Sequence, residues 1–193
     1  MSRTPGASRA ARRFASAAPG FACAALLLSL RLAAAQAPAE SRTRLDVPVV
    51  VQARERCGPA ALEMVLRWYG AEGAAVREAE TAYDPVLRGS LITDLAAAAR
   101  RAGYDATVAT LTPDSLVGLL GEGVPPIVLY QSGRGPMTQR HFGVVTAWDR
   151  ARGAFILNDG SARPRVLRRD DFAKRWRTAG SQALVVRRRS PAE

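Results

Sequence analysis

With 193 residues, 48% of them hydrophobic and 23% charged, the chain has room for one globular domain, and its composition excludes a wholly disordered protein. The net charge of +11 is high enough to attract nucleic acid, but five arginines and no acidic residue fall within residues 1–36. No basic stretch in the rest of the chain alternates with aromatic residues that would stack on bases, so no nucleic-acid partner is expected.

The first 37 residues have the layout of a secretory signal peptide. A basic head precedes an apolar stretch at residues 21–30, and small residues follow, ending in AAAQA. The apolar stretch is shorter than the roughly 20 residues that span a bilayer. This favours cleavage near residues 36–38 over a retained membrane anchor, the alternative interpretation. We therefore expect an exported protein, periplasmic or extracellular, with no stable membrane span after leader removal.

Cysteine and histidine are scarce in this sequence. Its two cysteines are Cys23, inside the predicted leader, and Cys57, and its only histidine is His141. A single remaining thiol cannot form an internal disulfide, and one cysteine with one histidine is too few for a typical zinc site. Neither a metal nor a cofactor is expected, and the retained thiol requires another explanation.

The first predicted elements after the leader are a strand and a helix. Residues 45–51, LDVPVVV, are rich in β-branched side chains and predict a strand. From Cys57 onward, apolar residues recur at i, i+3, i+4 and i+7, which predicts a helix with Pro59 in its first turn and a stop at Gly70.

Two further helical segments follow. Residues 74–83 predict a helix, and the stretch SLITDLAAAARRAGYDA predicts another, capped by Ser90 and ended by Gly103. The remaining predictions, in chain order, are a strand at 107–111, a helix at 113–123, a strand at 125–130, a loop at 131–140, strands at 141–148, 154–159 and 163–169, a helix at 170–176 and a strand at 182–189.

This order, helices first and then mostly strands, predicts a single α+β domain. We assign the signal peptide to residues 1–37, a linker to 38–44, the domain to 45–188 and a tail to 189–193.

Cys57 stands at the predicted start of a helix, where unpaired main-chain amides and the helix dipole favour negative charge. A free thiol is mostly protonated at neutral pH, and this position lowers its pKa and so increases the nucleophilic thiolate. Gly58 beside it leaves space for a substrate main chain. A cysteine before an apolar helix is, taken alone, more often a small buried residue.

His141 is the candidate base for this thiol, because it is the only imidazole in the sequence. A third group normally orients such a ring, and the hairpin formed by residues 141–148 and 154–159 can supply it. A five-residue loop pairs Trp148 with Ala154, Gly143 with Asp159 and His141 with Ser161. Asp159 is then a diagonal neighbour of His141, while a shift of one residue would put Asn158 there instead.

Acyl transfer also needs hydrogen-bond donors for the oxyanion that forms during the reaction. The main-chain amide of Cys57 is one candidate donor. The side-chain amide of Gln52, brought near by the turn QARER, is the other. Each of these residues is weak evidence alone, but together they indicate a catalytic set of Gln52, Cys57, His141 and Asp159.

Three stretches carry a family resemblance: DVPVVVQARERCGPAALEMVLRWYG, GSLITDLAAAARRAGYDA and HFGVVTAWDRARGAFILNDG. With them the sequence resembles the papain-like bacteriocin-processing, or double-glycine, cysteine peptidases, family thirty-nine of the cysteine class. The resemblance covers about residues 45–160 and extends over the domain to residue 187. Arg56 stands where transporter-linked members usually carry aspartate, and NDG replaces their NDP, so the chain looks more like free-standing, exported members.

The resemblance implies a papain-like α+β fold, with N-terminal helices packed on an antiparallel sheet. It also implies Cys57 as nucleophile, His141 as base, Asp159 as the residue that orients the base, and Gln52 in the oxyanion hole. Members of the family commonly cut after a Gly-Gly pair in leader peptides.

The expected function is an exported cysteine peptidase that hydrolyses a peptide or protein substrate through a thioester. One alternative is a transamidase or acyltransferase that uses the same residues, with an amine in place of water. Another is a peptide-binding module of the same fold without catalysis. Analysis of products separates the first alternative, and failure of an electrophile to label Cys57 would favour the second.

Overall fold

The computed structural model describes residues 42–133 and 135–190. The predicted signal peptide, residues 1–37, lies outside the described residues, as does most of the predicted linker. In chain order the elements are β1 (Arg42–Arg44), α1 (Cys57–Trp68), α2 (Gly73–Arg77), a 3₁₀ helix (Glu78–Ala82), α3 (Ile92–Arg101), β2 (Tyr104–Thr110), α4 (Pro113–Gly121), β3 (Ile127–Ser132), a second 3₁₀ helix (Gly135–Met137), β4 (Gln139–Asp149), β5 (Ala154–Asn158), β6 (Arg165–Arg168), α5 (Arg169–Thr178) and β7 (Gln182–Arg188).

The strands form a seven-stranded antiparallel sheet. Six of them lie in the order β2-β7-β3-β4-β5-β6, and β1 pairs with the last residues of β4. Residues 42–44, assigned to the linker from sequence, therefore belong to the sheet. The predicted α+β class is confirmed, and β4, at the centre, connects the strands that carry most of the site.

Helices cover both faces of the sheet, because successive strand residues point to opposite sides. Ile127 and Val144 pack with buried residues of α1 and α3 on one face. Their neighbours Val128 and Val145 pack with buried residues of α4 and α5 on the other. The expected packing of N-terminal helices on an antiparallel sheet is confirmed, and the later helices complete a second apolar layer.

Helix α1 forms as its sequence predicts. Leu62, Val65 and Leu66 are fully buried, so the apolar stripe faces the core. Gly70 ends the segment with a φ of +82°, a left-handed conformation that glycine adopts without steric cost. This helix anchors its first residue, Cys57, against the sheet.

Residues 45–51 do not form the predicted strand, which is a correction. Pro48 has no N–H to donate to a ladder, and Val51 is 66% exposed, so its β-branched side chain has no sheet face to pack on. The segment is instead held by single hydrogen bonds, such as the one from Nδ2 of Asn158 to the carbonyl of Val47 at 3.1 Å.

The predicted cap at Ser90 is also wrong. Helix α3 begins at Ile92 with Leu91 at its N-cap, and no side chain caps it. Ser90 Oγ is buried without a hydrogen-bond partner among the described residues. The other predicted elements are confirmed with shifted boundaries, and the predicted loop at 131–140 is shorter because β3 and β4 extend into it.

The hairpin of β4 and β5 has a register that differs from the prediction near its turn. Asp149, not Trp148, faces Ala154, so the loop has one residue fewer than expected. A bulge between Val145 and Ala147 offsets this difference. Beyond the bulge Val144 faces Asn158, which is the predicted register, but the described ladder ends there and His141 does not pair with Ser161.

Within the described residues, no helix combines the length and the apolar character needed to cross a bilayer.

Candidate active site

A cleft of about 830 Å³ opens beside the N-terminus of α1. Gln52, Cys57 and His141 all line it, so three of the four residues singled out from the sequence share one cavity. Leu87 and Leu91 contribute apolar surface to its wall. Asp159 does not line the cleft, because it lies behind the histidine ring and is only 2% exposed.

Cys57 is the first residue of α1 and is partly exposed. The N-cap residue Arg56 makes no side-chain hydrogen bond to the helix, and the first turn contains no acidic residue. No described carboxylate therefore competes for the positive end of this helix. Its dipole and free amides are available to a thiolate at Cys57.

Gly58 is required for the close approach of α1 to the loop before α3. A Cβ atom added at Gly58 would lie 2.6 Å from Oγ and 2.7 Å from Cβ of Ser90, well inside van der Waals contact. The space beside the thiol thus depends on the absence of a side chain at this position.

His141 is buried near the start of β4, and a hydrogen bond on the side of its ring away from Cys57 fixes the ring. The ring Nε2 lies 2.8 Å from the main-chain carbonyl oxygen of Asp159. Because a carbonyl oxygen only accepts hydrogen bonds, Nε2 carries the proton and donates it. Nδ1 is then the ring nitrogen available to the Cys57 thiol, and Tyr130 packs edge-on against the ring with centroids 6.0 Å apart.

Cys57 and His141 shift each other's pKa toward an ion pair. Burial alone would raise the pKa of the Cys57 thiol, but the hydrogen bond with His141 and the main-chain amides of Phe142 and Gly58 lower it overall. Burial alone would lower the pKa of His141, but its contact with Cys57 and the Asp159 carbonyl raise it overall. Both shifts increase the share of the thiolate–imidazolium pair relative to an isolated cysteine and histidine.

The Asp159 carboxylate is engaged by groups other than the histidine ring. Its Oδ2 accepts from Nε of Arg165 at 2.5 Å and from the Tyr130 hydroxyl at 3.3 Å, and its Oδ1 accepts from the main chain of Ser161 at 3.2 Å. Burial alone would raise the pKa of Asp159, but Arg165 and Ser161 hold it below its ordinary value. The carboxylate remains charged and acts on His141 through space.

Asn158, the alternative to Asp159, points elsewhere. Its side-chain amide donates to the carbonyl of Val47 and ties the segment before α1 to the end of β5. Between the two residues, Asp159 is the one that contacts the ring.

Gln52 is held beside the same turn that contacts the histidine. Its main-chain N–H donates to the carbonyl of Gly160 at 3.0 Å, and its side chain packs over that glycine. Gly160 has a φ of +78°, and a Cβ atom there would lie 2.5 Å from the Gln52 Oε1. Oε1 is buried and has no hydrogen-bond partner among the described residues.

Sequence reasoning did not identify Tyr130, Gly160 or Arg165. Tyr130 was visible only as part of a buried strand, and nothing in the order of residues links it to Asp159. Arg165 carries no local signal either, since many arginines are present. The one available hint was the glycine of NDG, a residue type that often marks a left-handed turn.

The loop before α1 is fixed by an ion pair that the sequence did not suggest. Glu55 has a φ of +64°, unusual for a residue with a side chain, and its carboxylate binds the Arg88 guanidinium. Both residues line the cleft, so the pair connects two of its walls.

No cluster of three or more histidine, cysteine, aspartate or glutamate side chains suited to a metal ion occurs in the part of the chain that the structure describes.

Comparison with known proteins identifies a family. The model of the Peptidase_C39 like family matches residues 44–184, which is most of the chain. Comparison of this chain with curated protein sequences found no match.

Several solved structures share the fold. The peptidase domain of Streptococcus ComA, a bifunctional ABC transporter involved in quorum sensing, aligns with a TM-score of 0.58 at 19% identity, covering 74% of this chain and 99% of that domain. A double-glycine-motif protease from an AMS/PCAT transporter, solved with its leader peptide, aligns with a TM-score of 0.59 at 20% identity. The alignment covers 76% of this chain and 94% of that protease. A candidate C39-like peptidase from Bacillus anthracis aligns with a TM-score of 0.61 at 16% identity, and the alignment covers 79% of this chain and 100% of that peptidase. At these identities the comparison establishes the papain-like fold alone.

Proposed function

Because the chain belongs to the Peptidase_C39-like family, we propose that it is a cysteine peptidase that hydrolyses peptide bonds through a thioester intermediate. The observation that carries the proposal is the contact between Cys57 and His141 at the N-terminus of α1, with the far side of the ring held by Asp159. This arrangement provides a nucleophile, a base and an orienting group around one cleft.

In the proposed reaction, the Cys57 thiolate attacks the scissile carbonyl carbon while His141 holds the proton taken from the thiol. The tetrahedral intermediate collapses, the C–N bond breaks, and His141 gives its proton to the leaving amine. The His141 ring then removes a proton from water, which attacks the thioester and releases the new carboxylic acid. The raised pKa of His141 favours its role as proton donor in the first half of this cycle.

We assign the oxyanion hole to the main-chain amide of Cys57 and the side-chain amide of Gln52. Both residues line the cleft, and the Gln52 side-chain amide, whose N–H groups would be the donors, makes no hydrogen bond to any described residue. Preorganised donors of this kind are worth about a hundredfold to a thousandfold in kcat each.

We assign the orienting role to Asp159 in preference to Asn158. The support is the 2.8 Å hydrogen bond from His141 to the Asp159 carbonyl, together with the negative charge of the nearby carboxylate. This differs in detail from the expected role, since the main chain makes the direct contact.

We further propose that the substrate is an exported peptide or protein, cut after a Gly-Gly-like pair. The signal-peptide layout of residues 1–37 supports export. Members of the family that the sequence resembles commonly cut after a Gly-Gly pair, and the structural neighbour from an AMS/PCAT transporter is a double-glycine-motif protease solved with its leader peptide.

Incubation of the purified protein with a peptide library, followed by mass spectrometry, tests this function. We expect products with a newly formed carboxylate at the cleavage site and enrichment of glycine at the two positions before it. Products that carry an added amine would instead indicate transamidation. A protein that binds peptides but neither cleaves them nor reacts with iodoacetamide at Cys57 would contradict the proposal.

Gly160→Ala is expected to lower kcat about a hundredfold, the effect of losing one oxyanion donor. The added methyl group would overlap the Gln52 side chain and push its amide out of position. Measurement of kcat together with the thermal unfolding midpoint separates this effect from a loss of fold.

Gly153→Ala is the matched control for that substitution. Gly153 also has a positive φ, of +57°, but a Cβ atom there meets no atom within 4 Å. Both variants therefore carry similar backbone strain, of about 1 kcal/mol, and only one disturbs Gln52. Equal kcat values for the two variants would exclude the assigned role of Gln52.

A further inference from the structure

The turn after β5 connects both assigned partners of the thiol. The carbonyl of Asp159 accepts the hydrogen bond from His141, and the carbonyl of the next residue, Gly160, accepts the one from the Gln52 main chain. Two consecutive peptide units thus hold both the base and the assigned oxyanion donor. Asp159 lies just beyond the last ladder pair of β5, so strand pairing does not fix it.

What fixes this turn is the side chain of Asp159. Its carboxylate is 1% exposed, and both oxygens are occupied, with the shortest contact the one from Arg165 Nε at 2.5 Å. A buried carboxylate without a cation is costly, so the ion pair strongly favours this one conformation of Asp159. Arg165 itself is the first residue of β6, and its side chain is 41% exposed.

Arg165 does not line the cleft that contains Cys57. It borders a separate surface cavity with Tyr130 and Arg175. Its effect on the site must therefore be transmitted through the residues that it contacts, which are Asp159 and Tyr130, and the Tyr130 hydroxyl itself donates to Asp159.

We infer that Arg165 is a positioning residue, which, by holding the Asp159 carboxylate, places the two carbonyls that orient His141 and Gln52. The inference rests on the proposed function for its catalytic consequence, but the placement of the histidine ring can be measured without any activity. The charged and titratable groups that surround the ring and this ion pair are Cys57, Tyr130, Asp159 and Arg165.

Nitrogen-15 NMR of the imidazole tests the inference directly, because His141 is the only histidine in the sequence. In the parent protein we expect Nε2 of the ring to carry the proton that it donates to the Asp159 carbonyl, and that proton to be protected from solvent exchange. In Arg165→Met this Nε2 proton should lose its protection. An unchanged ring spectrum in a folded Arg165→Met variant would overturn the inference.

Kinetics provide a second measurement. Arg165→Met should lower kcat about tenfold to a hundredfold, as expected for a misplaced catalytic group, with KM changed less than twofold since the cleft is untouched. Arg165→Lys should recover part of the loss. Arg163→Met is the matched control: Arg163 is exposed in the same loop and makes no hydrogen bond to described residues, so kcat should match the parent.

A double-mutant cycle completes the test. Asp159→Asn keeps both carbonyls but loses the ion pair and also the negative charge near His141, so its loss in kcat should be at least as large as that of Arg165→Met. The double variant should lose no more than Asp159→Asn alone. A double variant whose loss in kcat equals the product of the two single-variant losses would overturn the inference. If the parent protein cleaves no peptide, the proposed function fails, while the imidazole spectrum still decides the role of Arg165.

Discussion

Cys57→Ala is expected to abolish peptide cleavage, with kcat reduced by about four to six orders of magnitude. The variant removes the sulfur that forms the thioester, and neither His141 nor Gln52 can replace it as a nucleophile. Cys57 is only partly buried, and alanine has high helix propensity, so α1 should persist. Single-turnover cleavage assays and circular dichroism measure the two properties separately.

In the full chain, with residues 1–37 retained, Cys23→Ala is the matched control for this experiment, since Cys23 is the only other cysteine in the sequence. Iodoacetamide should label the Cys23→Ala protein once and abolish its activity, whereas labelling at position 57 is impossible in Cys57→Ala. Turnover at the parental rate in Cys57→Ala would rule out thiol catalysis altogether.

His141→Ala should reduce kcat by about four orders of magnitude or more, because the thiol then loses its base and the leaving amine its proton donor. The same substitution should shift the pH dependence of Cys57 alkylation. The thiolate reacts, and His141 provides the largest contribution that lowers the thiol pKa, while burial raises it. The midpoint of alkylation should therefore move to higher pH in the variant.

In the parent protein the reactive thiolate appears as pH rises through the lowered pKa of Cys57, and the proton donor is lost as pH rises through the raised pKa of His141. The two midpoints describe the coupled pair. Thr138→Ala, an exposed position just before β4, serves as control and should leave both midpoints unchanged. An alkylation midpoint that does not move in His141→Ala would show that the ring does not activate the sulfur.

The parts of the fold that follow local patterns were predictable from sequence. Helix α1 combines an apolar stripe with Pro59 near its start and Gly70 at its end, and these signals depend on neighbours within a few residues. The candidate nucleophile at its first residue follows from the same pattern. Residues 45–51 show the limit of such signals, since β-branched side chains indicate a strand only where a partner strand exists.

The neighbour relation of His141 and Asp159 was reached through a register that is wrong at the turn. The loop is one residue shorter than expected, and the bulge next to Thr146 restores the pairing beyond it. Apolar residues on both sides of this buried strand conceal the bulge, because no alternation exists to be interrupted.

Arg165 was not predictable for a different reason. Its importance arises only when β6 returns antiparallel to β5 and brings it beside a carboxylate six residues earlier. Likewise, the main-chain carbonyl that accepts the hydrogen bond from His141 could not be predicted from the sequence, because every residue type has such a carbonyl. Contacts of this kind depend on the packed turn, whereas nucleophile and base are recognisable by side-chain chemistry.

The position of β6 at the border of the sheet has a consequence for how long the site stays intact. Among the described residues, this four-residue strand pairs only with β5, and its Val166 is 57% exposed. Border strands with so few contacts fray well before the interior unfolds. Each fraying event would withdraw the guanidinium from Asp159, so the pairing of β6 with β5 helps to maintain the geometry around His141.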